Sequence, residues 1–306
     1  MDTTDAPVPA IRAEPPLAPP VAPGAPVRSE RAQARRETLG LLLRRPGFII
    51  GNIVIGFWVF CAIFGEFFVP WDPLNDFATG HVAPSVEHLF GTDRLGRDVF
   101  SRVIVGARDV FIIAPLAAGF GVLAGTILGL IMGYYRGVVD DVLSRIVEAF
   151  LSLPVILTAL LTLVVLGSST LVVVLVVGIL FTPIVARTVR SAVITERGLD
   201  YVTAARLRGE SGPFIMVREI FPNILPPIVV ELTVRIGYAI FTVATLSFLG
   251  VGIQPPSPDW GLQIAEEFNN MIGGIWWPTF FPALAIATTV VGVNLIADAL
   301  ASVTAE

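Results

Sequence analysis

The sequence has no lysine, one cysteine and two histidines among its 306 residues. A phosphate-cradling P-loop requires a lysine, so the chain cannot supply a nucleotide site of that kind. Cys61 has no second cysteine with which to form an intramolecular disulfide, and His81 and His88 give no metal-ligand cluster. We therefore predict no catalytic residue and no metal site, and we expect no cofactor bound by this chain.

Charge is also scarce, at 15% of residues, whereas 54% are hydrophobic. Several apolar runs approach the roughly 20 residues that are needed to cross a bilayer as a helix. These features predict an all-α membrane protein with about six transmembrane helices. The predicted spans are 47–69, 110–134, 146–166, 170–189, 224–250 and 279–298.

We divide the chain into three parts. Residues 1–40 are rich in Pro and Ala and predict a disordered cytoplasmic tail and not a signal peptide. Residues 41–108 hold the first transmembrane helix and an extracytoplasmic loop, and residues 109–306 form a five-helix core that includes a loop at 191–223. Of the 20 arginines, 15 fall on the side of both termini and this loop, and the positive-inside rule therefore places that side in the cytoplasm.

A polar insertion of about 25 residues interrupts the apolar runs between Leu199 and Pro227. Residues 200–208 suit a short helix that Gly209 ends, and Ser211 and Pro213 suit the start of a second helix that Pro222 limits. We call residues 200–222 the knob. Ala204 and Ala205 leave room for another surface to approach closely.

The knob resembles the cytoplasmic coupling loop of permease subunits of binding-protein-dependent ABC importers. That pattern is Glu-Ala-Ala, three residues, Gly, and later Leu-Pro; here Thr203-Ala204-Ala205 precedes Gly209, and Phe221-Pro222 follows. Thr replaces the Glu and Phe replaces the Leu. The alanines and the glycine turn keep the shape, so we expect docking to survive both changes.

Three stretches narrow the resemblance to the dipeptide, oligopeptide and nickel branch, and to its shorter "C" type subunit. They are Phe90-Gly-Thr-Asp-Arg-Leu-Gly-Arg-Asp98, the run from Leu246-Ser-Phe-Leu-Gly250 to Asp259-Trp-Gly261, and the knob with Pro222-Asn-Ile-Leu-Pro-Pro227. Val243 stands where that family often has an acidic residue. The resemblance covers about residue 40 to the C-terminus.

The resemblance implies a type I ABC importer permease in a bacterial inner membrane, with both termini cytoplasmic. It implies a second permease subunit as heterodimer partner, two ATPase subunits that bind ATP and Mg²⁺, an extracytoplasmic solute-binding protein and a short peptide as solute. Membrane lipid surrounds the chain, and no nucleic acid is involved. The predicted ATPase-coupling residues are Thr203, Ala204, Ala205, Arg206, Arg208, Gly209 and Pro222.

Two segments face outward under this topology, at about 70–108 and 251–278. Their polar candidates for binding-protein docking or a gate are Asp93, Arg94, Arg97, Asp98, Asp259 and Trp260. A structural alternative has Asp93 turning the chain and Arg97 and Arg102 extending to lipid headgroups. Trp276 and Trp277 are expected at the membrane interface.

Glu231 and Arg235 lie four residues apart in the fifth predicted span, so they share one helix face. An unpaired arginine near mid-bilayer costs about 2.5 to 3.5 kcal/mol, so this face should turn toward protein or a wet cavity. Both a satisfied structural pair and a pair that lines the solute path fit the sequence.

Two other classes of protein remain as alternatives. A secondary transporter driven by an ion gradient should show a relay of intramembrane carboxylates or histidines, and only Glu231 lies deep within a span. A membrane-embedded enzyme needs catalytic groups that face each other, such as paired aspartates. The neighbouring residues Asp140 and Asp141 fit the start of a helix better than such a catalytic pair. Within the importer class, a nickel chelate or another small solute is the alternative to a peptide.

Overall fold

The computed structural model describes residues 40–75 and 78–304, so nearly all of the tail predicted at 1–40 lies outside the described residues. Leu41 onward forms one compact helical unit. Its helices are α1 (Pro46–Phe68), α2 (Val99–Tyr135), α3 (Val138–Leu151), α4 (Val155–Leu166), α5 (Thr170–Arg197), α6 (Asp200–Leu207), α7 (Gly212–Phe214), α8 (Leu225–Phe248), α9 (Trp260–Glu267) and α10 (Trp277–Thr304). A π-helical turn, Ile215–Ile220, follows α7, and a 3₁₀ turn, Phe268–Gly273, follows α9.

Five of these helices, α1, α2, α5, α8 and α10, are long and apolar enough to cross a membrane. The pair α3 and α4 makes a sixth span if it is counted as one broken crossing. The prediction of an all-α protein with about six spans is therefore confirmed.

The second span begins earlier than predicted, at Val99 and not near residue 110. Asp98 caps this helix, because its carboxylate accepts a hydrogen bond from the Ser101 amide at 2.8 Å. Arg102 and Arg108 therefore lie on α2 and not in a loop, and the domain boundary placed after residue 108 falls inside a helix.

The third predicted span, 146–166, is two helices that meet at an angle of 86°. Pro154 precedes α4 and lacks the N–H that would continue the helical hydrogen bonds of α3. The preceding helix α3 is amphipathic, and its Asp140 accepts two hydrogen bonds from Arg190 of α5, at 2.5 and 2.7 Å.

Helices α2 and α5 pack together along most of their length. Glycines at 121, 125, 129 and 133 recur every four residues along the face of α2 that meets α5. A Cβ at Gly125 would lie 2.5 Å from the Val185 Cβ, and one at Gly129 would lie 2.7 Å from the Ala186 carbonyl oxygen. Such close approach of two backbones requires residues without side chains.

The contacts at the helix ends define two sides of the bundle. Arg45, just before α1, donates a hydrogen bond to Ser302 near the end of α10, so the start of α1 and the end of α10 share one side. The knob lies at the α2 end that carries Tyr134, because Arg206 stacks over that ring. The loop before α2 packs at the other side against α9. The two segments predicted to face outward therefore do share a side, opposite the knob.

Candidate functional site

The knob consists of α6, a turn at Gly209 and the short helix α7 with its π-helical continuation. Gly209 has φ +79°, a left-handed conformation that favours glycine, and it ends α6 as predicted. The second helix differs from the prediction, because most of it is π-helical, with the Phe221 amide donating to the Met216 carbonyl at 2.9 Å. Five buried apolar side chains of the knob pack in one cluster with valines of α5, namely Val202, Ala205, Ile215, Met216 and Ile220.

The predicted coupling residues are mostly, but not all, on the outer surface of the knob. Thr203, Ala204, Arg206, Arg208, Gly209 and Pro222 are exposed. Ala205 is wrong as a surface residue, because it is fully buried within the apolar cluster that holds the knob. Its small side chain serves the packing of α6 against the bundle and not an outside partner.

Arginines hold the knob in shape as well as charging its surface. Arg208 donates to Glu210 at 2.8 Å and to Glu219 at 3.3 Å, which ties the end of α6 to the π-helical turn. Tyr201 donates to Glu196 at 2.6 Å, and burial, with this hydrogen bond, raises the pKa of Tyr201 to about 12. The hydroxyl therefore stays a proton donor at physiological pH.

Exposed apolar side chains on the knob escaped the sequence analysis. Leu207 is 84% exposed beside the Gly209 turn, and Val217 and Phe214 are exposed on the second segment. Leu207 lies between Arg206 and Arg208 in a polar insertion, so its local sequence does not predict an exposed apolar side chain. Exposed apolar side chains rimmed by charge are typical of a surface that contacts another protein.

The other end of the bundle holds a buried charge cluster, formed by Asp93, Arg97, Arg102, Glu266 and Glu267. Arg97 lies 2.6 Å from Asp93 and 2.8 Å from Glu266. Arg102 lies 3.2 Å from Glu266 and is 1% exposed. The cluster joins the loop before α2 to α9, which follows it by more than 160 residues.

Glu267 extends this connection to the loop. One of its oxygens accepts from the Arg94 backbone amide at 2.9 Å, and the other lies 3.0 Å from the His81 ring nitrogen. The expectation that Arg97 and Arg102 extend to lipid headgroups is wrong, because carboxylates from α9 and the loop surround both guanidinium groups.

Five of the six residues predicted for docking or gating on this side are buried. Asp98 caps α2 and lies 2.9 Å from the His88 ring; Trp260 donates to the Val103 carbonyl at 2.8 Å. Asp93 and Arg97 belong to the buried charge cluster, and Asp259 caps α9. Only Arg94 among the six presents an exposed side chain. Direct contact of a partner with the other five is therefore wrong for this conformation, whereas a role in gating stays a prediction.

Two further residues on this side have defined environments. Trp277 is buried and donates to the Thr92 carbonyl at 3.1 Å, so protein surrounds its ring, while Trp276 is 47% exposed. The place of both residues in the membrane interface stays a prediction. Burial raises the pKa of Asp259 to about 6, with Asp109 nearby adding to the effect. Ser257 lies between these two residues, because its hydroxyl donates to the Asp109 carboxylate at 2.6 Å and accepts from the Asp259 backbone amide at 3.1 Å.

The structure brings Glu231 and Arg235 together on α8, with Arg235 Nε 2.9 Å from Glu231 Oε1. The guanidinium carbon lies 4.8 Å from the Tyr238 ring centre and 5.8 Å from that of Phe181. Each side chain of the pair is only about a tenth exposed. In the part of the chain that the structure describes, no group of three or more His, Cys, Asp or Glu side chains is arranged to hold a metal ion.

Comparisons with known proteins agree with this architecture. The family described as binding-protein-dependent transport system inner membrane component matches residues 125–304. The glutathione transport system permease protein GsiD of Pectobacterium atrosepticum is 37% identical over 83% of this chain and 82% of its own. The dipeptide transport system permease protein DppC of Alkalihalophilus pseudofirmus is 36% identical over 87% of each chain.

Another relative, the di/tripeptide transport system permease protein DppC of Pseudomonas aeruginosa, is 35% identical over 79% of this chain and 82% of its own. Among solved structures, a chain of the MetNI methionine ABC transporter in inward-facing conformations superimposes with a TM-score of 0.54 at 19% identity, over 67% of this chain and 95% of that one. This likeness shows the fold alone. With the family match and these relatives, the chain belongs to the inner-membrane permease components of binding-protein-dependent ABC transport systems.

Proposed function

We propose that this chain forms half of the membrane pathway of an importer for short peptides and that its knob receives the motion of separate ATPase subunits. The observation that supports the coupling role most directly is the exposed surface around Gly209, with Leu207 84% exposed between two arginines. The surface is fastened to α5 by buried apolar contacts, so a force applied there moves a membrane-spanning helix.

The assembly proposed has a second permease subunit, two ATPase subunits that hold ATP and Mg²⁺, and an extracytoplasmic binding protein that delivers the solute. The knob and both termini lie in the cytoplasm in this arrangement. The arginine distribution supports that orientation, since 15 of the 20 arginines belong to the segments on the knob side.

Short peptides are the proposed solute because relatives at 35 to 37% identity are named for dipeptide, di/tripeptide and glutathione transport. Glutathione is itself a short peptide with free carboxylates. A nickel chelate is the competing solute within the same class of importer.

The test is uptake of a radiolabelled dipeptide by the complete complex in vesicles, with the binding protein on one side and ATP on the other. We expect uptake that needs ATP and continues when proton and sodium gradients are collapsed by ionophores. Uptake that follows an ion gradient and ignores ATP would establish a secondary transporter instead. Competition by unlabelled glutathione and by a nickel chelate identifies the preferred solute.

Orientation has a separate test. A Leu207→Cys variant in a Cys61→Ala background carries its single thiol on the exposed knob. We expect a membrane-impermeant thiol reagent to label inside-out vesicles and to spare right-side-out ones. The reverse pattern would contradict the proposed orientation and, with it, the coupling role.

A further inference from the structure

The pair Glu231 and Arg235 lies within the apolar length of α8. Arg235 is the eleventh residue of the helix, about 15 Å along its axis from Leu225. Its Nε atom is 2.9 Å from Glu231 Oε1, and no charged side chain from another helix lies within ion-pair distance of either residue in residues 40–75 and 78–304. The two charges at mid-membrane therefore depend on each other and on what lies beside them.

The contact between the two side chains is incomplete. Arg235 Nε and Glu231 Oε1 are buried without a hydrogen bond of acceptable geometry among the described residues. Arg190 and Asp140, by contrast, form two hydrogen bonds at 2.5 and 2.7 Å. A pair kept only for structure should be satisfied in this second way, since buried charges without full hydrogen bonding are costly.

The surroundings of the pair open toward one side of the bundle. Tyr238, whose ring stacks with Arg235, is 54% exposed. Asn294 of α10 is exposed as well, and its side-chain oxygen would lie 3.2 Å from a Cβ built at Gly237. Tyrosine and asparagine are thus exposed at the same level of two neighbouring spans.

The lipid-facing surface of this chain has a different character. Along α1, every exposed position from Ile53 to Phe64 is apolar, with Ile53, Phe57 and Ile63 more than half exposed. The exposed Asn52 just before them donates to the Phe48 carbonyl of its own helix at 2.8 Å. Polar and charged groups within a bilayer turn toward protein or a water-filled space. The α8 and α10 face that carries Tyr238 and Asn294 is accordingly not a lipid surface.

An apolar groove lies between α8 and α10, closer than these polar groups to the side opposite the knob. It has a volume of about 520 Å³ and is lined by Phe241, Thr245 and Phe248 of α8 and by Ala283, Ala287 and Val291 of α10. Phe241 follows Tyr238 by three residues, and Asn294 follows Val291 by three, so each helix presents the groove and the polar groups on one face. The volume is in the range of pockets that hold small ligands.

We propose that the groove and the Glu231–Arg235 pair form a contact site for zwitterionic short peptides during passage. Arg235 contacts the peptide carboxylate, Glu231 contacts its ammonium group, and the groove receives an apolar side chain. The two charged groups are 2.9 Å apart in this structure, so they must part from each other to reach the two ends of the peptide. Their backbone positions, about 6 Å apart along the helix axis, allow a separation close to the roughly 7 Å between the ends of an extended dipeptide. This inference rests on the proposed peptide function.

The first test uses single cysteines in a Cys61→Ala background, where Cys61 is the native thiol to be removed. Tyr238→Cys is placed in the complete complex in vesicles and treated with a charged, water-soluble thiol reagent. We expect it to react, and we expect saturating alanyl-alanine with ATP to slow the reaction, while the N-acetyl, C-amide form of the same dipeptide does not. Phe57→Cys on the lipid-facing surface of α1 is the matched control and should stay unlabelled.

Two results would overturn the inference. One is a Tyr238→Cys thiol that is inaccessible in the complete complex, which would mean that the partner permease covers this face. The other is labelling that alanyl-alanine leaves unchanged although the complex transports it. If the unmodified complex takes up no dipeptide at all, the proposed function fails first, and uptake assays reveal that separately.

The second test separates contact with the solute from a purely structural pair. Arg235→Gln and Glu231→Gln should each reduce dipeptide uptake by at least about tenfold, and the double variant should be no better. The exposed pair Glu66 and Arg108, changed in the same way, is the control and should keep uptake within about twofold. Recovery of uptake in the Glu231→Gln/Arg235→Gln double variant would show a structural pair and overturn the inference.

Discussion

The buried charge cluster and the knob lie on opposite sides of one bundle and use arginine in opposite ways. In the cluster, Arg97 and Arg102 are each less than a tenth exposed and contact carboxylates from distant parts of the chain. On the knob, the Arg208 side chain is 55% exposed and contacts Glu210 and Glu219, both within the knob. Charges in the first region fix the fold, whereas charges in the second leave a surface free for another protein.

Charged residues of a membrane protein can therefore have two different roles. A buried arginine with several carboxylate partners is costly to disturb, because removal of one partner leaves the others uncompensated. An exposed arginine contributes little to stability. Mutations in the two regions should therefore separate stability from coupling.

The largest effect is expected from Arg102→Ala. Its loss leaves Asp93 and Glu266 to share Arg97 as their remaining arginine partner among the described residues, and we expect a destabilisation of about 3 to 5 kcal/mol. Thermal unfolding of the detergent-solubilised chain measures it. Arg108→Ala is the matched control one to two turns along the same helix, because its pair with Glu66 is 57 and 60% exposed. Equal stability of the two variants would contradict the structural role assigned to the buried charge cluster.

Asp259 should make the side with the buried charge cluster sensitive to pH. Its pKa rises from the ordinary 3.8 to about 6 through burial, so the folded protein holds this proton more tightly than the unfolded chain does. The contribution of Asp259 to stability should be fully present below about pH 4 and should fall by up to about 3 kcal/mol as the pH rises through 6. Other groups titrate in the same range, so the measured quantity is the difference between variant and parent.

Asp259→Asn should remove this contribution to the change of stability with pH. The asparagine keeps an acceptor for the Leu262 amide, which is 2.8 Å from the Asp259 carboxylate. Unfolding temperatures recorded between pH 4 and 7 provide the comparison. Asp200→Asn, at the exposed start of α6 on the knob, is the control and should follow the parent curve. An unchanged slope in Asp259→Asn would disprove the assignment.

Gly209→Val should act on coupling more than on stability. A β-branched residue at φ +79° strains the backbone by about 1 to 3 kcal/mol, although a side chain there meets no neighbouring atom within 4 Å. We expect the complex to assemble and hydrolyse ATP while peptide uptake falls. Gly198→Val is the control, since its φ is −78°. Normal uptake by Gly209→Val would refute the role of this turn.

The smallest effect on folding is expected from Leu207→Ser. The side chain is 84% exposed, so the free energy of unfolding of the isolated chain should change by no more than about 0.5 kcal/mol. Co-purification with the ATPase subunits should nevertheless fall, because an apolar contact at their interface is lost. Arg94→Ser, exposed on the opposite side, should leave co-purification intact. Retention of the ATPase by Leu207→Ser would remove this residue from the interface.

The sequence predicted the number of spans and the shape of the knob because both depend on local patterns. Apolar runs identify helices, and Gly209 with its neighbours identifies a turn. The start of α2 was missed because Arg102 appears locally as a loop charge, and its carboxylate partner Glu266 lies 164 residues away. No local pattern signals such a contact.

Other errors of the prediction concern residues whose effect on the structure depends on the neighbouring helices. Pro154 breaks the third span, whereas Pro115, Pro183 and Pro282 are accommodated inside helices. Whether a proline ends a span depends on whether neighbouring helices satisfy the freed carbonyl groups, which the sequence does not reveal. The burial of Ala205 and the exposure of Leu207 depend on how α6 rotates against α5, and an eight-residue helix has too few turns to define that rotation.

The glycine row on α2 has a mechanical consequence. Backbones in direct contact at four successive turns leave little room for sliding, so α2 and α5 should behave as a single stiff strut. The contacts run along α2 from Gly121 to Gly133 and along α5 toward its end, where the knob is attached. A push received at the knob should therefore move these two helices together as one body.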